Sequence, residues 1–305
     1  MEGLVIKSTG SWYEVKTSDN IVIKCRVRGK LKMSGLKVTN PVSVGDKVLY
    51  DLEESGQGII HSNVPRTNYL KRRSTRKTAF GHILASNIDL AVVVATLTFP
   101  KTSLGFIDRF LISAESFRIP SLLVFNKTDM WTKEAWEFAD FLHGIYSEIN
   151  VDFMTMSAKT EDNVDLFKEK LTGKTSLIAG HSGVGKSTIL NLLSPNIDQK
   201  TSEVSTFANK GTHTTTFAEM FEIEKNTYVI DTPGIKELGL MDIYDEEINH
   251  FFPEMRDLFG KCKFYNCTHT HEPNCAVIEA VENGNISISR YESYLSMMEG
   301  IDSHR

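Results

Sequence analysis

The run TSLIAGHSGVGKSTILNLL, residues 175–193, limits the possible folds more than any other part of this 305-residue chain. A short apolar strand, a turn fitting Gly-x4-Gly-Lys-Ser and an apolar helix are the parts of a P-loop, which belongs to an α/β sheet. Its glycines let backbone N–H groups wrap a phosphate chain, and the helix that follows points its positive end at the anion. The candidate phosphate-binding residues are Gly180, His181, Ser182, Gly183, Val184, Gly185, Lys186, Ser187 and Thr188. Lys186 neutralises the outer phosphates and is a candidate catalytic group, while the Ser187 hydroxyl is a candidate Mg²⁺ ligand.

The loop indicates a nucleoside triphosphate without saying which one. NKTD at 126–129 supplies the base. The Asp129 carboxylate can accept from the N1–H and the exocyclic amine of guanine, a pair of donors that adenine lacks. Asn126 braces the loop, the Lys127 stem covers the ring face, and Thr128 belongs to the same candidate site. SAK at 157–159 (Ser157, Ala158, Lys159) offers backbone N–H groups to the guanine oxygen. DTPG at 231–234 follows the strand TYVI, so Asp231 can hold the Mg²⁺ shell and the Gly234 N–H can sense the γ-phosphate. Between Lys186 and Asp231 lies NKGTHTTTF, where one of Thr214, Thr215 and Thr216 closes over Mg²⁺ as a first switch. Thr215 is the choice here; a Thr-rich β-edge is the alternative, because alternation begins at Phe217.

In most GTPases the base-reading motif lies downstream of the phosphate loop, and here it lies upstream. From Ile88 the pattern alternates: strands IDLAVVVAT, SLLVF, VDFMTM and TSLIA, with helices at 104–117, 133–147 and 163–171. The motifs at 126, 157 and 180 each begin where a strand ends, where doubly wound sheets bind ligands. The elements run base, base, phosphate, switch, switch, which is a circular shift of the usual order. Residues 65–240 are therefore expected to form a circularly permuted P-loop α/β GTPase domain.

Residues 1–64 read as short strands at 3–8, 11–17, 21–29, 46–52 and 57–61. In IVIKCRVRG, Ile21, Ile23, Cys25 and Val27 share one face and Val22, Lys24, Arg26 and Arg28 the other. Five strands in so short a segment suit an OB-type β-barrel, with an SH3-like barrel as the alternative. Residues 1–80 hold 15 Lys/Arg against 7 Asp/Glu, whereas the whole chain carries −5. A basic end on an acidic body points to a polyanionic partner. The segment 66–82, RTNYLKRRSTRKTAFGH, extends the basic run and carries Tyr69. It is read either as a solvated linker or as a phosphate-contacting strip.

CKFYNCTHTHEPNC spaces Cys262, Cys267, His269 and Cys275 as Cys-x4-Cys-x-His-x5-Cys. Three thiolates and an imidazole make a closed tetrahedral Zn²⁺ set, structural in kind. His271 could replace His269, and a disulfide would leave an odd cysteine. No apolar run approaches the ~20 residues of a membrane span. The start MEGLVIKSTG lacks a signal-peptide layout, so a cytoplasmic protein is expected.

A β-barrel, then NKTD, SAK, GHSGVGKS, GTHTTT and DTPG in permuted order, then a Cys-Cys-His-Cys module, resembles the RsgA/YjeQ family across essentially the whole chain. The resemblance implies a GTPase that binds the small (30S) ribosomal subunit late in its maturation and is stimulated by it. It implies an OB domain on 16S rRNA, bound GTP or GDP with Mg²⁺, and one Zn²⁺ in a mainly helical module at 241–305. A monomer with no membrane association is expected. Two other classes are weighed. One is an RNA-binding module that holds nucleotide only as a structural element. The other is a P-loop kinase or metal-delivery NTPase, whose acceptor site or exposed metal ligands are not evident in the sequence.

Three details complete the expectation. The second switch leads directly into the carboxy-terminal module, so its movement would pass there covalently. ISRYESYLSMM spaces Ile288, Tyr291, Leu295 and Met298 as a core stripe. The position after Asp-x-x-Gly is Ile235, which cannot orient a water, and His213 in the first switch is the candidate to do so.

Overall fold

The computed structural model describes residues 1–27, 38–73, 81–194, 218–232 and 243–300. Its first five strands are β1 (Glu2–Ser8), β2 (Tyr13–Thr17), β3 (Val22–Val27), β4 (Lys47–Leu52) and β5 (Gly58–Asn63). They close in the order β1-β2-β3-β5-β4-β1, with β3 and β5 parallel. That ring is the OB-type barrel. Alternation sends Val5, Val15, Cys25, Val48, Tyr50 and Ile60 into its interior. Ile21 departs from the expected face: it precedes β3 in the turn and stays exposed.

The expected linker at 66–82 is largely built into the fold. β6 (Tyr69–Arg73) pairs antiparallel with β7 (Gly81–Ser86), burying Leu70, Lys71, Ile83 and Ala85. Tyr69 packs on Phe117 with ring centroids 4.6 Å apart, so it is not a free stacking platform. Arg66 is buried on Asp46 through bonds of 2.6 Å from Nε and Nη2. Asp46 also accepts from the Ser43 N–H at 2.8 Å and from Ser86 Oγ at 2.6 Å, which ties barrel to hairpin. Gly45 makes the junction possible. Its φ is +89°, and a Cβ there would lie 2.1 Å from the Ser86 carbonyl oxygen. The reason for the departure is plain: two of the basic residues are consumed by burial and pairing. The side chains of Arg72 and Arg73, and residues 74–80, lie outside what is described, as does Arg28.

The second layer system follows the expected alternation. β8 (Leu90–Ala95), α1 (Leu104–Glu115), β9 (Ser121–Phe125), α2 (Lys133–Glu148), β10 (Asp152–Thr155) and α3 (Val164–Leu171) come first. β11 (Thr175–Ala179), α4 (Lys186–Leu193), β12 (Glu219–Glu224) and β13 (Thr227–Asp231) follow. The strand order is β10-β9-β8-β11-β13-β12, parallel except for β12. Val93, Ala95, Leu123 and Phe125 face α1 and α2, while Val92, Val94, Leu122 and Val124 face α3 and α4. Two covered faces explain why these strands read as unbroken apolar runs. The barrel joins this sheet through β1 and β12, where Lys7 pairs with Glu219 at 2.9 Å and Lys16 with Glu222.

After residue 242 a 3-10 turn (Asp245–Phe251), α5 (Pro253–Arg256), α6 (Ala276–Glu282) and α7 (Ile288–Met298) pack around Ile248, Phe252, Met255, Val277, Tyr294 and Met297. Three positions of the expected α7 stripe, Tyr291, Leu295 and Met298, pack half-buried against this core, and Ile288 does not. Ile288 is 67% exposed, and the most buried positions are Arg290, Ser293, Tyr294 and Met297. A charged side chain heads the inward face because it meets charge there. Arg290 Nη1 donates to Asp108 on α1 at 2.7 Å, and Nε donates to Glu254 at 2.7 Å. Tyr146 and Ser293 also donate to Asp108, at 2.9 and 2.5 Å. Among the described residues no helix is long and apolar enough to cross a membrane.

Candidate nucleotide site and metal centre

Asn126 lies where β9 ends, and it is nearly fully buried. Its Nδ2 donates to the Val184 carbonyl inside the glycine-rich loop at 2.8 Å, and its Oδ1 accepts from the Ala158 N–H at 3.0 Å. One side chain therefore joins the three segments that the sequence separates. The contact is close: Gly185 has φ +100°, and a Cβ there would fall 2.3 Å from Asn126 Nδ2. A side chain at Gly185 would push Asn126 out of that position.

Lys127 adopts φ +70° and turns the chain so that Asp129 faces back to Ser157. Ser157 Oγ donates to Asp129 Oδ1 at 2.7 Å and accepts from the Thr160 N–H at 3.2 Å. Lys159, exposed, sits 3.7 Å from Asp129 Oδ2. Lys127 Nζ donates to the Phe99 carbonyl at 3.0 Å, and burial lowers its pKa. SAK is expected to offer backbone N–H groups to the guanine oxygen, and two of its three amides are bonded within the chain. The Ser157 N–H donates to Asp162 and the Ala158 N–H to Asn126, which leaves the Lys159 amide without a partner among the described residues. Those two amides are spent on holding the motif to its neighbours.

In the loop Val184 is buried, so only its backbone can meet a ligand, and His181 packs on Phe106 of α1 with the rings tilted by 45° and their centroids 3.9 Å apart. Lys186 Nζ donates to the Gly180 and His181 carbonyls at 2.6 and 3.0 Å, which holds the ammonium over the loop. Ser187 and Thr188 open α4 and are half-buried. Asp231 ends β13 beside Ile178 of β11, one strand over from the loop. Burial raises its carboxyl, the nearby Lys186 charge lowers it, and Glu219 adds to the rise. A buried carboxylate with a hydroxyl close to a phosphate loop is a hard-oxygen donor set of the kind Mg²⁺ takes with nucleotide. His213, Thr214, Thr215, Thr216, Gly234 and Ile235 lie outside the described residues.

The four ligand atoms of Cys262, Cys267, His269 and Cys275 lie within 4.8 Å of one another. A tetrahedral ion with bonds of about 2.3 Å to sulfur and about 2.0 Å to nitrogen spaces its ligands by roughly 3.5–3.8 Å. Here Cys262 Sγ lies 3.9 Å from Cys275 Sγ and 3.6 Å from His269 Nδ1, which is 3.3 Å from Cys275 Sγ. The set fits a metal, and all of the cysteines are free. His269 is buried in the cluster, whereas His271 is exposed and bonded to Thr270. Burial lowers His269, which keeps the imidazole in its neutral, ligating form, and burial raises the thiols of Cys267 and Cys275. Sequence reading passed over Asn249, which contacts the far side of the His269 ring at 3.0 Å. A lone amide twenty residues away carries no spacing signature.

The family profile described as RsgA GTPase matches residues 63–241, and that described as RsgA N-terminal domain matches residues 2–60. The chain is 50% identical over 299 residues to "Small ribosomal subunit biogenesis GTPase RsgA 2" of Bacteroides thetaiotaomicron, covering 98% of this chain and 96% of that protein. It is 49% identical to "Small ribosomal subunit biogenesis GTPase RsgA" of Cytophaga hutchinsonii, covering 100% of both. The crystal structure of YjeQ from Thermotoga maritima superposes with a TM-score of 0.78 at 34% identity, covering 100% of this chain and 99% of that one. That of YloQ, described as a circularly permuted GTPase, gives 0.72 at 30% identity, covering 100% and 96%.

Proposed function

This chain belongs to the RsgA GTPase family, and we propose that it binds the small (30S) ribosomal subunit late in maturation and hydrolyses GTP to GDP and phosphate on that contact. The observation that carries the reading is the Asn126 bridge: base-reading loop, SAK turn and phosphate loop meet at one buried amide. In this reading Asp129, oriented by Ser157, accepts from the guanine edge, and the Lys127 stem covers the ring. Lys159 gives its amide to the guanine oxygen. The loop from Gly180 to Thr188 wraps the phosphates, with Lys186 moving from the loop carbonyls to the phosphate oxygens. Bound Mg²⁺ supplies charge neutralisation across the phosphates. Ser187 and Asp231, with Thr215 from the first switch, are the residues that would hold it, and the Gly234 amide senses the γ-phosphate.

The barrel, residues 1–64, is the arm for 16S rRNA. Its support is charge: residues 1–80 carry 15 Lys/Arg against 7 Asp/Glu, most of the excess between Arg66 and Lys77 at the barrel's exit. Lys24 and Arg26 lie on the exposed face of β3, Arg26 beside Glu53. The GTPase domain spans 65–240. The module at 241–305 holds one Zn²⁺, the ion that suits three thiolates and an imidazole best. The protein acts as a cytoplasmic monomer.

Turnover of GTP, measured with and without purified small subunits, tests the reading. Addition of subunits is expected to raise the rate, and Lys186→Ala to abolish both rates. Equal rates with and without subunits would remove the ribosome from the proposal. Base choice has its own test. Asp129→Asn turns one acceptor into a donor facing guanine's donors, so GTP affinity should fall by roughly tenfold or more. Xanthine nucleotide, which presents an acceptor there, should gain relative to GTP. An unaltered GTP-to-XTP preference would exclude Asp129 from the base pocket.

A further inference from the structure

His269 uses both of its ring nitrogens. Nδ1 faces the thiols of Cys262 and Cys275, while Nε2 lies 3.0 Å from Nδ2 of Asn249. Both side chains are buried, at 5% and 8% exposure. The other end of the amide, Asn249 Oδ1, is buried and has no hydrogen-bond partner. A neutral imidazole carries one proton. With a metal on Nδ1 that proton sits on Nε2, where it meets the NH₂ of Asn249, donor against donor. With the proton on Nδ1 the amide contact is satisfied, but no lone pair points at the thiols.

A half-turn of the amide resolves the conflict. Oδ1 then accepts from Nε2–H, and the NH₂ moves to a place where Oδ1 has no donor to lose. We infer that Asn249 is the positioning residue of the metal centre: in the metal-bound protein its Oδ1 accepts the Nε2–H of His269, which fixes the tautomer that presents Nδ1 to the ion. The inference rests on the metal reading above. The backbone supports it, because His269 takes φ +58°, and the Tyr291 and Tyr294 hydroxyls clamp the turn through the His269 and Thr268 carbonyls at 2.7 and 2.6 Å. With the main chain so held, the ring has one direction left to fix, and the amide supplies it.

Asn249 also has a telling address. It lies on the 3-10 turn Asp245–Phe251, the first described element after β13, next to the buried Ile248. The same hydrogen bond therefore fastens the segment that leaves the GTPase sheet to the metal loop.

The test uses the full-length protein as purified, with its zinc content measured, and ¹⁵N-labelled histidine observed by long-range ¹H–¹⁵N NMR. His269 should show a metal-bound Nδ1 and a protonated Nε2 whose proton exchanges slowly. Chelator competition then gives zinc affinity for two variants. Asn249→Leu, which keeps volume and loses the acceptor, should weaken zinc roughly 10- to 100-fold. Asn249→Asp, which restores an acceptor, should hold zinc within about threefold of wild type, since carboxylate partners serve metal-bound histidines well. Bound metal with a bare or rapidly exchanging Nε2 proton overturns the inference and leaves the metal reading standing. Unchanged affinity in Asn249→Leu, or an equal loss in Asn249→Asp, overturns it as well. Wild-type protein without metal overturns both readings together. If Asn249→Leu does not fold, the wild-type spectrum still decides.

Discussion

Arg290→Ala is expected to destabilise the chain by about 3–5 kcal/mol, the range for removing one partner of a buried ion pair. Arg290 and Asp108 are 1% and 0% exposed, so the carboxylate that the substitution would strand is fully buried. The Tyr146 and Ser293 hydroxyls would remain on Asp108, but two neutral donors do not replace a guanidinium. Glu254 would lose its partner as well, and the Phe252 ring would lose the guanidinium 4.6 Å above it. The effect should be localised. Arg290 belongs to α7 and Asp108 to α1, so the seam that opens lies between the carboxy-terminal module and the GTPase sheet. Urea titration followed by Trp fluorescence and by protease access to the module should separate two transitions in the variant. A second variant refines the reading. Arg290→Met with Asp108→Asn and Glu254→Gln removes the charges together, keeps an amide oxygen to accept from the Tyr146 and Ser293 hydroxyls, and should recover much of the loss, because no buried charge is left unpaired. A loss under about 1 kcal/mol in Arg290→Ala would mean that the pair is not what joins the two parts.

That seam is also where sequence reading fell short, and the reason is physical. Apolar periodicity found β8, β9 and β11 almost to the residue, because strands covered on both faces have no polar side to confuse the pattern. The motif residues were legible for another reason: Asn126 and the glycines of the loop hold positions that few residue types can hold. On α7 the apolar stripe was legible at Tyr291, Leu295 and Met298, but the buried charge beside it was not. The helix's inward row begins with an arginine, and periodicity assigns arginine to water unless the partner is known. The partner, Asp108, is 182 positions earlier in the chain. The hairpin of β6 and β7 was hidden likewise, since Arg66 and Lys71 made a buried edge read as a charged linker. Asn249 is the extreme case, because its meaning exists only beside His269. Local chemistry is written locally, whereas buried charge and outer ligand partners are written in tertiary pairs.

Hydrolysis itself is expected to depend on His213. Many signalling GTPases place a glutamine directly after Asp-x-x-Gly, where it orients the attacking water. This chain has Ile235 there, and an alkyl side chain neither donates nor accepts a hydrogen bond. The free protein should therefore turn over GTP slowly, with another group placing the water once the small subunit is bound. His213 and Ile235 lie outside the described residues, so the expectation rests on sequence and on where the described ends lead. β12 begins at Glu219, just after the expected first switch that contains His213, and it pairs with β1 of the barrel through Lys7 and Glu219. A barrel seated on rRNA would thus hold one end of that switch. An imidazole can orient or deprotonate a water near neutral pH, which suits it to the task. His213→Ala should leave GTP affinity and subunit binding near wild type while lowering subunit-stimulated turnover by roughly ten- to a thousandfold, the range for one positioned acid–base group. Single-turnover rates with saturating subunits would measure it. Undiminished stimulation in the variant would clear His213, and fast turnover by the free wild-type chain would defeat the wider idea that catalysis waits for the subunit.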